Sequence, residues 1–263
     1  AAAWLGPRAG LLWFGAAVIG LATLLAAFAV FETLPWAHGE LKQANPAQAL
    51  RPRYPTGLSA QPSTAEMFAM MSWRDRRMAA LCQAGLVEKF VDALVWVFWP
   101  VYLHQQGLSL PRIGWIVGVY GFTWGIAQFF TGKLSDRVGR QVLNTWGMWI
   151  CGAGVASLPL GTGSLWWSAS AGLTGLGMAM LYPNLSAAVA DIAHPSWRAS
   201  AIGIYRFWRD LGYGLGALGL GAAAALGGSI ESAFWFVAVA MLLSGAVLHI
   251  WGEETHPRLN SAS

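Results

Sequence analysis

Two clusters of ionisable side chains stand in stretches of this chain that are otherwise almost wholly apolar. Glu88, Lys89 and Asp92 lie within CQAGLVEKFVDALVWVFWPVYL, and Arg206, Arg209 and Asp210 lie within IGIYRFWRDLGYGLGALGLG. On a helix, residues four apart share a face, so Glu88 aligns with Asp92, Arg206 with Asp210, and Arg209 with Tyr205 and Tyr213. A carboxylate withdrawn from water can serve as a proton carrier whose charge state couples to a second event. The cations beside it, Lys89, Arg206 and Arg209, oppose that protonation. Two readings stand side by side: a static ion-pair network that fixes helix packing, or groups lining a substrate or proton pathway. A third constellation, Gly132-Lys133-Leu134-Ser135-Asp136-Arg137-Val138-Gly139-Arg140-Gln141, is an island of charge and glycine between two apolar runs. Its side chains sit at two helix ends, either as a link between them or as a solvated turn.

The elements that must position these residues follow from composition. Charged residues make up 11% of the chain and hydrophobic ones 56%, with a mean hydropathy of +0.49. A soluble domain usually carries about 25% charged residues, so this chain cannot cover itself with polar groups. Its 16 tryptophans belong to a residue type enriched where membrane meets water. Counted in spans of about 20 apolar residues, the sequence predicts seven: 10–35, 79–104, 113–131, 142–161, 165–188, 199–226 and 232–251. The first ends in Phe31-Glu32-Thr33-Leu34-Pro35 without a small-residue cleavage site, and reads as a span rather than a signal peptide. At about 1.5 Å per residue from Ala79, Glu88 and Asp92 stand roughly 14 and 20 Å into the second span. An ionised group near a bilayer centre costs about 2.5–3.5 kcal/mol, so both clusters are expected to turn inward.

Other chemistry is not signalled. Cys82 and Cys151 have no metal-ligand spacing, and His38, His104, His194, His249 and His256 are scattered at loops and span ends. No H-E-x-x-H, G-x-S-x-G or G-x-x-x-x-G-K-[ST] pattern occurs, so neither enzyme, metal centre nor cofactor is expected. The net charge of +4 does not mark a nucleic-acid binder, because the basic residues sit at span ends. Lys42, Arg51, Arg53, Arg74, Arg76, Arg77, Lys133, Arg137, Arg140, Arg198 and Arg258 fall on one side, against Arg8 and Arg112 on the other. That bias puts the long 38–78 loop and the C-terminus in the cytoplasm. Within the loop, Met67 to Met71 reads as a short interfacial helix. Gly212 and Gly216, Gly114 and Gly118, and the trio Gly172, Gly175 and Gly177 have the spacing of closely approaching helices.

The pattern of Gly132, Leu134, Asp136, Arg137, Gly139 and Arg140 resembles the signature loop of the major facilitator superfamily of secondary transporters. Three further stretches look like one bacterial branch of it: Cys82 to Val87, Tyr182 to Asn184 running on to Ala190–Pro195, and Tyr205 to Tyr213. The resemblance implies an all-α, polytopic membrane helical bundle, the C-terminal six-helix half of the facilitator fold preceded by one helix. Residues 1–37 would be a helix of the N-terminal half, 38–78 the cytoplasmic central loop, 79–252 the six-helix bundle and 253–263 a cytoplasmic tail. The charged spans would then be helices seven and eleven, which border the central cavity, whereas the lipid-facing support helices carry no central charge. The resemblance also implies a conformational latch of Gly132, Asp136, Arg137, Gly139 and Arg140, with Asp191 as acidic partner. Gln141 departs from the basic residue many members carry. The function implied is transport of a small molecule across a bacterial cytoplasmic membrane by alternating access, with protons as coupling ion. Glu88, Asp92, Arg206, Arg209 and Asp210 are the pathway candidates. Trp96, Trp99, Tyr120, Trp124 and Tyr182 are the aromatic ones. Lipid, the cargo and an N-terminal half are the implied partners. A stand-alone half, or a membrane scaffold without transport of its own, is the alternative.

Overall fold

The computed structural model describes residues 7–29, 62–256 and 259. The chain divides into two compact units, Ala1–Leu50 and Arg51–Ser263. In the first, helix α1 (Pro7–Ala29) is an apolar rod opening on Pro7, whose missing N–H costs nothing in a first turn. The expected end of that span near residue 35 and the loop residues 38–61 lie outside the described part.

The second unit begins with a short helix, α2 (Thr64–Ala69). Ser63 caps it in a reciprocal box: the Glu66 amide donates to Ser63 Oγ at 3.3 Å, and the Ser63 amide donates to Glu66 Oε2 at 2.8 Å. A wider π turn, Met70–Arg74, carries the chain to Asp75. The Asp75 carboxylate caps α3 (Arg76–Ala93) by accepting from the amides of Arg77 and Met78. Helix α3 runs through a second π turn, Leu94–Phe98, into α4 (Trp99–Gln105). Pro100 accounts for that widening, since it has no N–H for the carbonyl one turn back and its ring crowds that carbonyl. The dihedrals stay right-handed helical across the junction, so α3 and α4 form one rod.

Helix α5 (Leu110–Val138) and helix α6 (Arg140–Ser157) are separated by Gly139 alone. The expected ten-residue island is therefore not a loop: Gly132 to Val138 form the last turns of α5, and Arg140 and Gln141 begin α6. After a single tight turn at Leu158–Leu160 come α7 (Ser164–Ile192), α8 (Arg198–Gly227) and α9 (Glu231–Trp251). Gly228, with φ +69°, ends α8 in the left-handed conformation glycine favours.

Within the described residues each apolar run of the sequence is thus helical. Helix α7 packs along α5 and α6, α8 along α3, and α9 against both α6 and α3. Small residues permit the closest approaches. A methyl group on Gly216 would stand 2.8 Å from Phe90 Cδ1, and one on Gly177 2.5 Å from the Cys151 amide nitrogen. The Gly114 and Gly118 pair departs from expectation, because both face open space among the described residues. Helices α5, α7 and α9 are long and apolar enough to cross a membrane by length and composition. Helix α6 is only 18 residues long, and the α3–α4 rod and α8 carry the ionisable clusters.

Candidate functional site

The Glu88–Lys89–Asp92 triad lies in the interior of the second unit, with side-chain exposures of 0–1%. Lys89 Nζ stands between the two carboxylates, 2.7 Å from Asp92 Oδ2 and 3.2 Å from Glu88 Oε1. Helical geometry makes this bridge, since residue 89 is next to one acid and three positions before the other. Two tyrosines from other helices complete the shell of Asp92. Tyr120 on α5 donates to Oδ1 at 2.9 Å and Tyr213 on α8 to Oδ2 at 3.1 Å. The ammonium also faces three rings: Tyr182 at 5.1 Å, Tyr213 at 5.4 Å and Trp124 at 5.9 Å from the centroids. Glu88 Oε2 and the Tyr205 hydroxyl are buried without a hydrogen-bond partner among the described residues. Gly85 lets Tyr205 in, for a methyl there would stand 2.6 Å from its Cε2.

The second cluster is arranged differently from the expectation. Arg206 is exposed and does not pair with Asp210; Asp210, itself exposed, meets its neighbour Arg209, Nε to Oδ1 at 3.5 Å. Consecutive helical residues diverge by about 100°, so only the long side chain of Arg209 brings these two groups together. The guanidinium of Arg209 lies over the Tyr182 ring, 4.9 Å from its centroid. Of this cluster, then, only Arg209 turns inward. Among the aromatic candidates, Tyr120 and Trp99 are fully buried, whereas Trp96 is 54% exposed. Tyr120, Trp124 and Tyr182 form a ladder of ring contacts with centroids 5.8 and 5.4 Å apart.

At the end of the bundle where α5 meets α6, Arg140 Nε donates to Asp191 Oδ2 across to α7. Its other arm reaches Asp136 Oδ1 at 3.8 Å. Arg137 is exposed and makes no ion pair among the described residues, and Gly132 has open space beside it. Gly139 takes φ +101°, and a side chain there would run into the Glu254 carboxylate. That carboxylate is an acceptor with no sequence signal of its own. It receives the Arg140 amide at 3.0 Å and the Gln141 amide at 3.3 Å, and so caps α6 from the far end of the chain. Its neighbours bind as well. Glu253 pairs with Arg77 at 3.2 Å, Thr255 Oγ1 donates to Asp191 at 3.5 Å, and His256 Nε2 lies 3.5 Å from Asp136. Gln141 Nε2 donates to the Gly252 carbonyl at 2.7 Å. The five residues after α9 therefore bridge the ends of α3, α5, α6 and α7.

Residues 81–263 match the profile of the family described as Major Facilitator Superfamily. The chain belongs to this superfamily. Similar superfamily proteins include the uncharacterized MFS-type transporter STM4428 of Salmonella typhimurium, 27% identical over 52% of this chain and 35% of that protein. The inner membrane transport protein YajR of Escherichia coli is 27% identical over 57% of this chain and 33% of its own length. The efflux pump terJ of Aspergillus terreus is 26% identical over 68% and 35%. This chain thus spans about a third of the length of these relatives. A crystal structure of the peptide transporter POT with alafosfalin shares the fold, with TM-score 0.60 and 23% identity over 75% of this chain and 43% of that one. A superfamily chain with helices of this length and apolarity is an integral membrane protein.

Within this superfamily fold the sequence candidates fall into three groups. Glu88, Asp92 and Arg209 come together, with Asp210 touching Arg209 from the exposed side; Arg140, Asp136, Asp191 and Gly139 come together; Arg206, Arg137 and Gly132 stand apart from both. Lys89, Tyr120 and Tyr213 belong to the first site by contact, and Glu254 and His256 to the second. A lysine wedged between two acids was the available signal for Lys89. A glutamate three residues past a helix end carries no such signal.

Proposed function

We propose that this chain supplies one half of a secondary active transporter that moves a small molecule across the bacterial inner membrane by alternating access, with proton coupling at Glu88 and Asp92. One observation supports it most: two carboxylates with 0–1% exposure share a single ammonium in the middle of a helix within a membrane bundle. Protonating either acid frees Lys89 to turn wholly to the other, a discrete change of the kind that biases a two-state element. In this reading 38–78 is the cytoplasmic central loop, 79–252 the six-helix half, and the C-terminal residues 253–263 lie in the cytoplasm. The Arg140–Asp191 and Arg140–Asp136 contacts are the latch that favours one state and opens in the other. An N-terminal half completes the cavity.

The test uses the complete protein in sealed vesicles. Asp92→Asn and Glu88→Gln should each lower pH-gradient-driven transport at least about tenfold, as for a lost coupling term of 1.4 kcal/mol, while membrane abundance holds. Full gradient-driven transport in both variants would end the proton reading. A second reading, a static network, draws support from Asp92, whose two oxygens already accept from three donors. It predicts instead that the variants lose folded protein rather than coupling.

A further inference from the structure

We infer that the Glu88–Asp92 site binds a primary organic ammonium ion, with the side chain of Lys89 occupying the place of that ion until it arrives. The inference rests on the transport reading above and names its cargo class. What surrounds Lys89 Nζ is a receptor for an ammonium group. Two carboxylate oxygens stand at 2.7 and 3.2 Å, and the rings of Tyr182, Tyr213 and Trp124 stand at 5.1–5.9 Å. Carboxylates supply charge, and ring faces stabilise a cation that has shed its water. An anion would meet two carboxylates. A hard metal cation would find rings where it requires oxygen.

Hydrogen bonding leaves the site one donor short. Among the described residues, Glu88 and Asp92 share Lys89, and Arg209 lies over the Tyr182 ring nearby, while Asp210 and Arg206 are exposed. Among the described residues Glu88 Oε2 is a fully buried acceptor with nothing to accept. A second N–H group is what it lacks, which selects a primary amine over a quaternary one. Tyr205, with its own unpartnered hydroxyl, packs on Gly85 one turn before Glu88, on the same face of α3. The way in is through the rings. Lys89 is 1% exposed, but Tyr213 is 44% exposed and Trp124 and Tyr182 are half-buried. They form the outer wall of the site. Lys89 has a flexible four-carbon stem, so its ammonium can withdraw as a free one enters. A tethered competitor of this kind lowers apparent affinity and keeps the buried acids compensated when no cargo is bound.

The experiment uses the complete protein in nanodiscs, with n-butylammonium, tetramethylammonium and butanesulfonate as probes and thermal stability as readout. Lys89→Ala vacates the site, and it should bind n-butylammonium at least about tenfold more tightly than the wild type, with its internal competitor gone. Tetramethylammonium should bind more weakly, butanesulfonate not at all, and adding Asp92→Asn should abolish the stabilisation. If n-butylammonium raises the melting temperature of Lys89→Ala no more than butanesulfonate does, the inference is overturned. A variant too unstable to purify still decides the matter. Its yield from cells grown with butylamine should rise several-fold over cells grown with butanesulfonate, and equal yields would overturn the proposal. Ammonium binding in a protein that transports nothing would keep the site and remove the transport reading. Transport of another cargo with no ammonium binding would do the reverse.

Discussion

Asp92 draws donors from three helices: Lys89 from its own, Tyr120 from α5 and Tyr213 from α8. The two phenols are not equal. Tyr120 is fully buried whereas Tyr213 is 44% exposed, so water can replace the second hydroxyl but not the first. Tyr120→Phe is expected to destabilise by about 1–2 kcal/mol, the upper part of the range for polar contacts between membrane helices. Tyr213→Phe should cost less than half of that, and reversible unfolding in detergent would rank the two. At this scale the sequence was partly legible. Glu88 and Asp92 could be placed on one face because helical periodicity is local, whereas Asp191 was expected as a partner of Arg137 and Arg140 only through the family resemblance, and in the structure Arg140 is the one that meets it. The phenols could not be assigned, because Tyr120 and Tyr213 are 28 and 121 residues away from Asp92 and reach it only once helix packing is known. The expected Arg206–Asp210 pair failed for a related reason. Shared helical face permits a contact, but the direction of a long, exposed side chain is decided by its surroundings.

Among the elements, α2 shows how a short helix outside the apolar spans is held. The Ser63 amide and then the Ser63 hydroxyl donate to Glu66, and they hold its carboxyl below its ordinary value of 4.5. Because the folded group titrates lower than the unfolded one, the contribution is complete above pH 4.5 and fades as pH falls through the folded value. Amide protection factors at residues 63–67, corrected for the intrinsic pH dependence of exchange, should therefore hold down to about pH 4.5 and fall below it. Glu66→Gln should remove the pH dependence, and an unchanged profile in that variant would refute the cap. Helix positions were legible because apolar runs and their breaks are written locally. Where the helices end was not: α5 continues through Lys133 and Asp136 to Val138, since charged residues carry no helix penalty once they reach the bundle end. The π turn at Leu94–Phe98 was equally hidden, although Pro100 was there to announce it.

For the whole molecule, the telling contacts are those that join sequence ends to sequence middle. Glu254 lies more than a hundred residues from the two amides it caps. Glu254→Gln leaves shape almost intact and removes the charge that complements the start of α6. At about 1 kcal/mol for such a cap, amide protection at Arg140 and Gln141 should fall roughly fivefold. Gradient-driven transport by the complete protein should change with it if these contacts open and close during the cycle. Unchanged protection would show that the carboxylate contributes nothing there. The same arrangement has a practical side. A fluorescent reporter or purification handle spliced directly behind Trp251 would discard Gly252 to His256, and with them the fastening of four helix ends. Inactivity in such a fusion would say nothing about the permeation route; the junction belongs beyond His256, so that all five fastening residues are kept.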